Sequence, residues 1–174
     1  YTSSWTGDNV ATWEHLWIAN IQVQRMCISG MGFTGSDIGG FAEQPSGELY
    51  ARWIQLGVFH PFCRTHSSGD HGDQEPWSFD VDVINITRKF VQLRYQLLPY
   101  LYTMFWEYIN DGVPMLKPLV YFDQEDPQTH YRTDEFIFGN QILVCPILEP
   151  NAQGRRMYLP IGNWYNYWTD EVVS

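Results

Sequence analysis

Residues 28–41 read ISGMGFTGSDIGGF, a short apolar run broken by five glycines. Such a run predicts a buried strand that ends in a tight, ligand-facing loop, because glycine tolerates sharp turns and close approach to the backbone. Upstream, Val10, Trp13, Leu16, Trp17, Ile21 and Met26 recur at helical spacing. An amphipathic helix over 10–26 is expected, with Asn9 or Thr12 as its cap. WTGDN, residues 5–9, closes a β-like run just before it. Downstream, GELYARWIQLGVF (47–59) puts Leu49, Trp53 and Leu56 on one helical face, and the strand-like VFHPFCRTH (58–66) overlaps its end. A very polar loop, SSGDHGDQEP (67–76), leads into the longest helical pattern, 83–110, where Pro99 predicts a kink and Gly112 the stop.

Strand and helix therefore alternate three times in the first 110 residues, which implies a parallel sheet with right-handed crossovers. In such a sheet every strand points the same way. The residues just past the strand ends, Asp8, Asp37, Arg64 and His66, are then expected on one edge, where parallel α/β folds place ligands. Trp5, Phe41 and Phe62 stand beside them as candidate ring platforms. Each polar residue also has an ordinary explanation: Asp8 as a helix cap, Asp37 as turn chemistry, Arg64 and His66 as ion-pair partners. Their coincidence on one edge favours a site. Beyond Gly112 the pattern changes to short β-rich runs, LKPLVYF, EFIFG, QILVCPIL, RMYLPI and WYNYWT, separated by turn residues.

Composition narrows the chemistry. Aromatic residues make up 17 % of the 174 residues, more than a core of this size needs, so some rings are expected along a cleft where they can stack on sugar rings. The net charge of −10, with no Lys/Arg-rich run, excludes nucleic acid and anionic membranes as expected partners. No stretch is apolar enough to span a membrane. Cys27, Cys63 and Cys145 read as free thiols, and the five His lack zinc-site spacing, so neither metal nor cofactor is expected. The sequon at Asn85 reads as chance. What remains is carboxylate chemistry on a neutral ligand. Glycoside hydrolysis fits, with one carboxyl as general acid; partial burial of Asp8 beside Trp5 would help to keep its proton.

WTGDN, GFTGSDIGGF and FHPFCRTHS, in this order and spacing, resemble glycoside hydrolase family 31, which includes α-glucosidases and α-xylosidases. The likeness runs through QLLPYLYTMF into the β-rich tail. It implies a retaining enzyme on a (β/α)8 TIM barrel followed by β-sandwich domains. By the resemblance Asp8 is the general acid/base, His66 hydrogen-bonds the sugar, Asp37 and Arg64 shape its subsite, and Trp5 and Phe41 wall it. The family's nucleophile segment, W-x-D-[MLIV]-N-E, does not occur here, nor does a substrate-contacting arginine expected just before Tyr1.

The chain, which opens with Tyr1 rather than Met, is therefore expected to be a piece of an enzyme. Residues 1–112 would be the last three strand-helix units of the barrel, and 113–174 the start of the proximal β-sandwich. The expected activity is release of terminal α-linked glucose from an oligosaccharide. An α-xylosidase or an inactive sugar-binding or structural fragment is the alternative. The open barrel edge would be covered by the rest of the enzyme or by self-association.

Overall fold

Trp5 leads into the pairing that organises the first 66 residues of the computed structural model, which describes residues 2–173. Tyr1, expected in the first strand, lies outside the described residues. Strand β1 (Ser4–Trp5) pairs in parallel with β2 (Thr34–Gly35), Trp5 opposite Gly35. Strand β3 (Asp37–Ile38) pairs in parallel with β4 (Arg64–Thr65), Asp37 opposite Arg64. β2 and β3 form one path of chain interrupted at Ser36. The carbonyls of Phe33 and Gly35 accept from Ser4 and Thr6, whereas that of Thr34 accepts from Phe62, each at 3.0 Å. The middle path is thus flanked on one side by residues 4–6 and on the other by 62–65.

Helix α1 (Trp13–Ile28) starts at Thr12, whose side chain accepts from the His15 N–H, so Thr12 rather than Asn9 is the cap. It runs two residues further than the periodicity suggests. Ile28 is its last residue and half of the expected strand run is not strand. The reason is a glycine stop: Gly30 takes φ of 88°, its N–H reaches Cys27 O, and the Met31 N–H reaches Met26 O. Helix α2 (Gly47–Gly57) is capped by Ser46 and buries Leu49, Trp53 and Leu56. Trp53, without solvent exposure, donates its indole N–H to Ser36 Oγ at 3.0 Å, which satisfies a hydroxyl buried at the strand interruption.

Of the strand expected over 58–66, only Arg64–Thr65 is strand. The preceding residues form a turn gripped by Arg94, whose guanidinium donates to the carbonyls of Val58, His60 and Pro61 at 2.7, 2.6 and 2.8 Å. Val58 caps the C-terminus of α2, where a cation also meets the negative end of the helix dipole. Arg94 belongs to α3 (Val81–Gln96), capped by Asp80. The long helical pattern is two helices, α3 and α4 (Leu98–Asp111), divided at Leu97 rather than kinked at Pro99. Proline at the second position of α4 has no N–H to give to Tyr95, and its ring would crowd that carbonyl, so the break falls one turn-fragment earlier. α4 ends at Gly112, as expected.

The tail holds an antiparallel sheet of β5 (Leu116–Pro118), β6 (Phe136–Phe138) and β7 (Ile142–Val144), and a separate pair, β8 (Trp164–Tyr165) with β9 (Val172–Val173). Leu119–Phe122 of the expected run LKPLVYF is a helical turn, α5, and RMYLPI contains no strand. Leu116, Phe136 and Phe138 join Leu16, Val23, Trp53 and Met104 in one buried cluster. Polar contacts close the joint: Asn20 Nδ2 donates to Thr133 O at 2.7 Å, and Arg52 to Ala152 O at 3.0 Å. The Tyr100 hydroxyl donates to Phe138 O and accepts from the N–H groups of Asn140 and Gln141.

Replacing Arg94 by Met should leave three carbonyls short of a donor and cost about 2–3 kcal/mol of stability. Arg94→Lys, a point charge without the fork, should recover only part of that. Denaturant unfolding of the three proteins measures both.

Candidate active site

The parallel strand paths bring Trp5, Asp37 and Arg64 together on one edge. Thr6 still pairs with Gly35, Gly7 turns the chain at φ of 84°, and Asp8 follows. Asp8 does not cap α1, since Thr12 does. It stands exposed, so the partial burial expected beside Trp5 is not found; Trp5 itself is 45 % exposed. The next residue, Asn9, is buried, and its carbonyl accepts from the Phe41 and Ala42 N–H groups at 2.7 and 3.0 Å. The loops after β1 and β3 are thereby joined beside Asp8.

Asp37 has the opposite environment. Its side chain has no solvent exposure, Oδ1 accepts from Arg64 Nε at 2.8 Å, and Oδ2 is buried without a partner among the described residues. Burial pushes its carboxyl above the ordinary 3.8, against the pull of the bonded Arg64 guanidinium and of His66, while the Asp8 charge adds to the push. That coupling places Asp8 and His66 within electrostatic reach of Asp37. Arg64 in turn lies between two rings, its guanidinium carbon 5.7 Å from the Trp5 centroid and 5.2 Å from that of Phe62. The Phe41 and His66 rings are 5.2 Å apart.

The structure therefore joins Trp5, Phe62, Arg64 and Asp37 by direct contact, and Phe41 with His66 as a second pair. Asp8 is linked to them through charge and through the Asn9 carbonyl. The aromatic excess is not concentrated here: Tyr102, Trp106 and Tyr131 are exposed elsewhere. A half-open pocket of about 330 Å³ lies at the joint with the tail, lined by Arg52, Phe59, Phe90, Leu97, Ile142 and Trp168. Gln74, in the very polar loop 67–76, is buried against residues 40–43. Nothing in the single sequence marks it.

Asp37 and Arg64 are the first residues of β3 and β4 rather than residues past the strand ends as expected, because the middle path resumes as strand directly after its interruption at Ser36. A paired acid and guanidinium with flanking rings, set on parallel strands that alternate with helices, define part of a TIM-barrel domain with a polar site on one edge. Residues 1–104 match the glycosyl hydrolases family 31 TIM-barrel domain, and residues 112–174 the glycosyl hydrolase family 31 C-terminal domain. The chain belongs to glycosyl hydrolase family 31. It is 42 % identical over its whole length to alpha-glucosidase 2 of Bacillus thermoamyloliquefaciens, covering 22 % of that protein. Over 95 % of its length it is 40 % identical to glucosidase 2 subunit alpha of Saccharomyces cerevisiae, covering 17 % of it. A crystal structure of glucosidase II alpha subunit superposes over 99 % of this chain and 19 % of its own with a TM-score of 0.96 at 33 % identity. A GH31 alpha-xylosidase from a soil metagenome, complexed with xylose, gives 0.90 at 29 % identity, over 97 % of this chain and 28 % of its own. The chain thus spans about a fifth of the length of the curated relatives it matches.

Because the raised pKa of Asp37 means that the folded protein holds this proton more tightly than the unfolded chain, ionising Asp37 costs stability as pH rises through its folded-state value. Arg64→Met removes the strongest opposing pull. The variant should lose about 2–3 kcal/mol near neutral pH, less than a fully buried pair because Arg64 is a third exposed. Its deficit should shrink as pH falls through the still higher Asp37 pKa of the variant toward that of the wild type. Urea unfolding across the acid range measures the slope.

Proposed function

We propose that the protein containing this chain is a retaining α-glycosidase that releases terminal α-linked glucose from oligosaccharides. The observation that carries this reading is the common edge: Asp8 follows β1 while Asp37, bonded to Arg64, opens β3 on the neighbouring path. Asp8 is the general acid/base, protonating the glycosidic oxygen and later taking a proton from water. The nucleophilic carboxylate comes from a strand outside residues 1–174. Asp37 Oδ2, a buried acceptor without a donor, suits a sugar hydroxyl, and His66 and Arg64 supply donors beside it. Trp5 and Phe41 offer apolar faces to the ring.

Glucose is preferred over xylose because the relatives of 42 % and 40 % identity described above are named alpha-glucosidase 2 and glucosidase 2 subunit alpha, whereas the xylosidase structure stands at 29 %. In this reading residues 1–112 are the last three strand-helix units of the barrel and 113–174 begin a β-sandwich. The remaining barrel covers the exposed Tyr102, Trp106 and Ile109 of α4.

Asp8→Asn in the enzyme should depress turnover of maltose, whose leaving group needs a proton, far more than turnover of an activated aryl α-glucoside. Steady-state rates on the two substrates decide it; equal losses on both would remove Asp8 from the acid role.

A further inference from the structure

Residues 69–73 of the loop after β4 are exposed, yet Gln74 is only 5 % exposed. Its side chain enters the turn after β3. Nε2 donates to Gly40 O at 3.0 Å and to Glu43 O at 3.4 Å, an arrangement that fixes the amide orientation, since an oxygen there would face two acceptors. Oε1 is buried without a partner and lies over Gly39, where an added Cβ would come within 2.9 Å of it. On the other side of the same dipeptide, a Cβ on Gly40 would come within 2.6 Å of the Ala11 nitrogen. Gly39 and Gly40, at φ of 92° and 90°, are held in a slot between the loop after β1 and the Gln74 amide.

Phe41 follows at once. Its N–H is bound to Asn9 O, and its carbonyl accepts from the Ser68 N–H at 2.9 Å. Gln44 Nε2 closes the loops from the solvent side by donating to Asp73 O at 2.7 Å. The three loops that carry Asp8, Phe41 and His66 therefore meet at residues 39–44, and Gln74 is the buried side chain that holds this turn from the β4 side.

We propose that Gln74 is a positioning residue of the sugar site: its amide sets the turn after β3 and, through it, where the Phe41 ring stands against His66 and Asp8. The inference rests on the sugar-site reading above and deepens it. The residue type follows from the chemistry. Leucine would fill the space but leave the Gly40 and Glu43 carbonyls without this donor, and a glutamate carboxylate would place negative charge against them.

The test compares Gln74→Leu, Gln74→Glu and Asp8→Asn in the intact enzyme, with maltose as substrate and glucose as competing ligand. Gln74→Leu should raise both KM for maltose and the glucose inhibition constant by about tenfold, the equivalent of one lost buried hydrogen bond, with a smaller change in kcat. The kcat/KM of Gln74→Glu relative to wild type should climb as pH falls from about 7 to about 5, because the protonated carboxyl can donate to the Gly40 carbonyl as the amide does. That rising ratio also carries the test if Gln74→Leu does not fold. An unchanged KM with only a lowered melting temperature, or a ratio flat with pH, overturns the inference. Full maltose turnover by Asp8→Asn would instead overturn the sugar-site reading, so the two failures are separable.

Discussion

The bond from Arg64 to Asp37 spans the ends of two neighbouring parallel strands, and the rest of the edge is arranged around it. A carboxylate with no exposure costs several kcal/mol to bury as an ion, far more than a surface pair returns, so its partner has to be held in place. Trp5 and Phe62 contribute to this by setting their rings against the guanidinium. Through Trp5 the arrangement reaches β1 and so the strand that presents Asp8. Only one oxygen of Asp37 is answered. The other is buried and has no hydrogen-bond partner among the described residues.

Much of the helical frame was legible because its signals are local. Leu49, Trp53 and Leu56 at helical spacing mark α2, and Gly112 after a periodic run marks the end of α4. What misled was punctuation whose meaning depends on what surrounds it. Gly30 sits in a glycine-rich run that reads as loop after strand, yet its left-handed conformation closes the helix before it. The missing N–H of Pro99 acts on the carbonyl of Tyr95, so the division appears at Leu97 and not at the proline. The turn at residues 58–63 is apolar enough to read as strand, but Arg94, far along the chain, takes its carbonyls.

The grouping of the candidate residues on one edge was legible, because parallel direction gathers corresponding strand positions there; that Asp37 and Arg64 open their strands was not. Nor was the internal contrast of the site. Asp8 and Asp37 are the same residue type, each near a glycine and a strand end. Asp37 lies within a strand path that has neighbours on both sides and is buried, while Asp8 comes three residues after β1, beyond the turn at Gly7, and is exposed. Gln74 was illegible for a related reason. A loop of Gly, Asp, His and Ser announces solvent, and one amide turned inward leaves no periodicity to read.

The hydroxyl of Tyr100 answers one carbonyl and two amides of the turn after β6. Those partners lie 38 to 41 residues later in the chain. During synthesis the helix that carries Tyr100 therefore leaves the ribosome well before them, and water must occupy their places until the tail arrives. Completion of the helical layer is in this way deferred, and a nascent chain halted between the two would present a finished-looking helix whose anchor is still unclaimed.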